Sequence, residues 1–128
     1  MIDLMLVAAL QASTWDGVRE DGWTFMAEAQ SRQLLYFTRP ADRGARRLWI
    51  RMEYAPGHPD ANGFRSTRAL VVGDCQEGRL KSLQTTSFRE PNLMGAKEAG
   101  NGEENWFYPA PDTLHEQVLD LICSQSPR

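Results

Sequence analysis

Two histidines, two cysteines and a run of arginines are the side chains in this 128-residue chain whose types and spacing bear on chemistry. His58 lies in a proline-flanked loop and His115 in the first turn of the last helix-like segment, and either has the type needed for a general base. A small hydrolase built on one of them would need a nucleophile, and the Gly-x-Ser-x-Gly turn that presents one is absent. Gly95, Gly100 and Gly102 are followed by no Lys-Ser or Lys-Thr pair, so they do not form a phosphate loop. Glu103 and Glu104 have no second acidic cluster at calcium-loop spacing, and Cys75 and Cys123 belong to no zinc-ligand pattern. The residues point to no metal, no cofactor and no enzyme.

Charge segregation is the stronger signal. Arg39, Arg43, Arg46, Arg47 and Arg51 fall close together with Asp42 as the one acid among them, whereas Glu98 to Asp120 holds six acids and no Lys or Arg. Guanidinium groups hold carboxylate, sulfate and phosphate with two parallel hydrogen bonds, so Arg43, Arg46, Arg47 and Arg51, with Trp49 beside them, are candidates for an anion- or partner-binding edge. The competing reading is two solvated edges that pair with each other. Nucleic acid is disfavoured by the net charge of −3 and by the lack of aromatics interleaved with the arginines.

These residues must be placed by strands. Leu48, Ile50, Met52 and Tyr54 alternate with Trp49, Arg51 and Glu53, so burying the first set fixes the register and turns the second set outward. Trp23 to Gln30, Leu34 to Thr38 and Arg65 to Asp74 show the same period of two. Leu80 to Phe88 repeats it imperfectly, with Leu80 and Leu83 on opposite faces, which predicts a bulge. The linkers are too short for parallel crossovers, so the strands form an antiparallel meander. Pro91 to Pro111, rich in glycine, asparagine and proline, reads as loop with one short strand. Thr113 and Glu116 form a capping box ahead of Leu114, Val118, Leu121 and Ile122, an apolar helical stripe that needs a sheet beneath it. The expectation is an α+β fold: a meander of five or six strands packed against a C-terminal helix.

With 41% hydrophobic and 24% charged residues, the composition suits one globular domain. Leu4 to Leu10, followed by Gln11, Ala12 and Ser13, resembles the apolar segment and small-residue exit of a secretory signal, although Asp3 stands where a basic residue is usual. Residues 1–12 are read as a leader and 13–128 as the domain; no stretch is long enough to span a bilayer. Cys75 and Cys123 are either small buried hydrophobes in a reducing compartment or one disulfide in an oxidising one. Export favours the bridge, which would contribute about 4 kcal/mol by closing its loop in the unfolded chain.

The strand Leu48-Trp49-Ile50-Arg51-Met52-Glu53-Tyr54 and the segment Asp74-Cys75-Gln76-Glu77-Gly78-Arg79-Leu80 are followed by Trp106, Pro109, Pro111, the helix from Thr113 and Cys123. In order and spacing these features resemble the surface-adhesin protein E family of Gram-negative envelope proteins. The resemblance implies an antiparallel sheet with a C-terminal helix, pairing of Cys75 with Cys123, and adhesion rather than catalysis. The expected protein is a periplasmic or secreted binding module for a protein or an anionic polysaccharide. A periplasmic hydrolase inhibitor, acting through Gly57 to Gly63, is the alternative.

Overall fold

The computed structural model describes residues 17–41 and 46–124 of the chain. The leader-like segment 1–12 and Arg43 lie outside these residues.

Six antiparallel strands follow one another across a single sheet: β1 (Thr24–Glu28), β2 (Leu34–Pro40), β3 (Arg47–Tyr54), β4 (Ser66–Asp74), β5 (Arg79–Glu90) and β6 (Met94–Asn101). The helix α1 (Leu114–Ser124) then packs on one face. This is the expected meander. Cys75 and Cys123 are joined, with Cα atoms 5.7 Å apart, so the last turn of α1 is tied to the chain just beyond β4.

Each face of the sheet carries its own core. On the helix side, Leu48, Ile50, Ala69, Val71 and Leu80 pack against Val118 and Ile122 of α1. Gly73 lies beneath the helix because a Cβ there would meet the Ile122 side chain at 2.9 Å. On the opposite face Trp23, Leu35, Phe37 and Ala55 form a second cluster, joined by Trp49 and Leu93.

Two local readings change and a third holds. The register between β1 and β2 shifts between Phe25 and Ala27, so simple alternation fails there and Met26 and Ala27 both enter the helix-side core. The segment read as loop with one short strand contains β6, eight residues long and exposed throughout. Its hairpin turn is set by Asn92, Leu93 and Gly95, all with positive φ (63°, 60° and 83°). The expected β5 bulge is present: Leu70 pairs with Gln84 and Val71 with Ser82, leaving Leu83 as the extra residue.

The helix start departs slightly from a capping box. Thr113 Oγ1 accepts from Glu116 N at 3.3 Å, but Glu116 Oε1 accepts from Asp112 N at 2.8 Å, one residue earlier than the reciprocal bond usually falls. Arg46 reaches the other end, where its Nη1 donates to Cys123 O at 3.4 Å; a cation there suits the negative end of the helix dipole.

Candidate functional site

Strand β3 decides what the arginine cluster can do, because its odd-numbered side chains all lie on the face away from α1. Cross-strand pairing aligns Arg39, Trp49, Leu70 and Gln84 in one row, and Phe37, Arg51, Arg68 and Thr86 in the next. A third row holds Arg47, Val72 and Lys81.

Arg51 is not part of any open edge. Only 1% of its surface is exposed, and Glu53 beside it is fully buried. Arg51 Nε donates to Glu53 Oε2 at 2.7 Å, Nη1 to Glu20 O at 3.2 Å, and Nη2 to Arg19 O at 2.7 Å and Asn92 Oδ1 at 2.8 Å. Glu53 in turn accepts from Asn92 N at 3.0 Å. The guanidinium also lies 4.5 Å from the Phe37 ring. Burial pushes the Glu53 carboxyl above its ordinary range, while Arg51 and the Asn92 N–H pull it back. The expectation of Arg51 as an anion ligand is thus corrected: its donors strap the 17–22 segment and the β5–β6 turn onto the sheet.

The other candidates separate. Arg46, with φ of 57°, is half-buried, accepts from Gly73 N at 2.9 Å, and reaches toward α1. Arg47 lies half-buried on the helix-free face, and so does Trp49.

Arg68 lies beside Trp49, and it was missed by a reading that followed arginine density. Its guanidinium sits 5.5 Å from the Trp49 ring and 5.9 Å from the Phe88 ring. Its Nε is buried without a hydrogen-bond partner, and no carboxylate pairs with it among the described residues. A lone arginine between Thr67 and Ala69 in an otherwise apolar run was the available signal. At the end of this face Trp106 stacks with Arg79 at 4.6 Å and Lys81 at 5.7 Å. Arg79 is bound to Asp74 at 2.8 Å, and the Glu77 N–H, helped by this guanidinium, holds the Asp74 carboxyl below its ordinary range.

The histidines are not brought into a catalytic arrangement. His58 is exposed in its loop, and His115 stands edge-on to Phe107 at 5.1 Å. No group of His, Cys, Asp and Glu able to hold a metal occurs among the described residues.

The model of the surface-adhesin protein E family matches residues 23–124, from the first core tryptophan to the end of α1. The chain belongs to this family. Membership implies an exported or envelope protein with an adhesin-like, non-enzymatic role. No curated protein matches the chain in the same kind of comparison. Among the described residues no helix is long and apolar enough to cross a membrane.

Proposed function

We propose that this surface-adhesin E family member is a periplasmic or secreted binding module that grips acidic groups of a protein or an anionic polysaccharide with the helix-free face of its sheet. One observation supports the reading above others: Arg68 is flanked by two aromatic rings and has no acid partner among the described residues. Arg68 is half-buried and its guanidinium stands between two rings, so an incoming carboxylate or sulfate would supply it with a charge-assisted partner. Trp49 offers a flat apolar surface beside it, while Arg47, Lys81 and, toward the helix end, Arg46 extend the positive field; Arg43 belongs to the same segment of sequence. Retention on a heparin-type resin at low salt tests this. Arg68→Gln, or Arg46→Glu with Arg47→Glu, should elute earlier, and unchanged retention of both variants removes the proposal.

A second reading, inhibition of a hydrolase by a preformed loop, is favoured by the Gly57 to Gly63 region. Asp60 Oδ1 accepts from Asn62 N at 2.8 Å and Phe64 N at 2.9 Å, and Arg89 Nη1 donates to Asn62 O at 2.9 Å. A loop held this way loses little freedom on binding. A lysozyme-inhibition assay separates it from adhesion.

A further inference from the structure

The helix side of the sheet holds a cavity that neither the family nor the arginine face accounts for. Its volume is about 770 Å³, within the range of small-molecule sites. Tyr36, Ile50, Met52 and Ala69 form the floor, and Leu114 and Val118 of α1 form the roof. α1 is tied down at its C-terminal end by Cys123, and Tyr36 and Met52 on the floor remain half-buried.

Two observations define what fits there. First, Ser82 lines the cavity with a buried Oγ that has no hydrogen-bond partner. The hydroxyl is closed off in this rotamer, so an occupant carrying a polar hydrogen would complete it once χ1 turns the Oγ toward the cavity. Second, the charged groups lining the cavity are Glu103 and Glu104, with His115 on the rim and no Lys or Arg. Glu103 Oε1 accepts from Ser82 N at 3.3 Å, which holds this carboxylate at the mouth beside the unbonded hydroxyl. Glu104 is exposed and has no ion pair among the described residues.

We infer that this cavity binds a small cationic amphiphile, an apolar ring or short chain carrying a protonated amine. The body displaces poorly bonded water from apolar walls, and the ammonium donates to Glu103, Glu104 and Ser82 Oγ. An anionic amphiphile of the same shape would bring its carboxylate against two others and leave its charge unpaired. This site faces the opposite side of the sheet from Arg68 and does not depend on the function proposed above.

A matched pair of probes tests it on the intact, disulfide-bonded protein: 1-naphthylmethylamine and 1-naphthylacetate, titrated at low salt by calorimetry and by amide chemical shifts. The amine should bind about tenfold or more tightly than the acid. Its shifts should map to Ser82, Phe107 and Leu114 and not to Trp49. Glu103→Gln with Glu104→Gln should bring the amine to the level of the acid. Ala69→Leu should abolish binding by filling the floor; Leu114→Trp, at a half-buried helix position, does the same from the roof should the first variant fail to fold. Equal or tighter binding of the acid overturns the inference, as does no binding of either probe at millimolar concentration. Shifts at the cavity that follow protein concentration rather than amine would make a second copy the occupant, and this too overturns it.

Discussion

Replacing Arg51 by Met removes a guanidinium that no water can replace, since it and Glu53 are almost completely buried. Four side-chain hydrogen bonds disappear, and Glu53 keeps only its acceptance from Asn92 N. The carbonyls of Arg19 and Glu20 belong to exposed residues and can be rehydrated, so the main loss is the uncompensated carboxylate. Breaking a buried pair from one side costs about 3–5 kcal/mol. With a urea slope near ~2 kcal/mol/M, the unfolding midpoint should fall by about 2 M. The penalty should depend on pH in a definite direction. Burial already raises the folded pKa of Glu53 above the ordinary carboxyl range, and Arg51→Met removes the two Arg51 influences that lower it. The variant therefore takes up a proton more readily when folded than when unfolded, and its deficit relative to wild type shrinks as pH falls from about 8 toward 5. Adding Glu53→Leu removes the stranded charge and should recover at least half of the loss. Urea melts of the four proteins in this cycle, at both pH values, provide the measurement. A deficit below about 1 kcal/mol, or one that is flat in pH, refutes the claim that this pair is a buried strap.

Replacing both Cys75 and Cys123 by Ser, across a separation of 48 residues, should lower stability by about 4 kcal/mol in urea melts without reductant. Intact masses before and after reduction of protein from its native host should differ by the two hydrogen atoms gained when one bridge becomes two thiols, and report whether a leader has been removed. Gly102→Ala should destabilise by roughly 1–3 kcal/mol, because a Cβ there would run into the backbone carbonyls of Ser82 and Leu83; a midpoint equal to wild type would show that the chain can step aside.

The parts of the fold legible in the sequence are those in which one physical requirement dominates. Leu48 to Tyr54 alternates because the even-numbered side must meet the helix, and the opposed Leu80 and Leu83 required the extra residue that the bulge supplies. Strand β6 was hidden because Met94–Asn101 is exposed along its whole length and needs no apolar pattern; pairing with β5 and a turn of positive-φ residues hold it extended. Arg51 and Glu53 were legible as neighbours on one face but not as a buried pair. Two charges spaced by two residues look the same in sequence whether the face is wet or covered, and the cover comes from residues 17–22, distant in the chain. Arg68 was obscured for the converse reason: density drew attention to the arginines around Arg46, whereas the lack of an acid partner for Arg68 among the described residues is a fact of three-dimensional placement.

The two open surfaces follow from a shortage of cover. An 11-residue helix is about 16 Å long, while six strands span about 24 Å, so one helix cannot close its face. Among the described residues, α1 covers one side of the sheet and the Arg51 strap strengthens the other, which leaves on each face a region that they do not cover. These regions carry opposite charge: Glu103 and Glu104 beside the cavity, and Arg47, Arg68 and Lys81 on the helix-free face. Salt should weaken ligands at both, since charge contributes to each. Substitutions on opposite faces share no partner, however, so their effects on binding should add. A coupling between Arg68→Gln and Glu103→Gln would mean that the sheet transmits strain between its faces rather than merely dividing them.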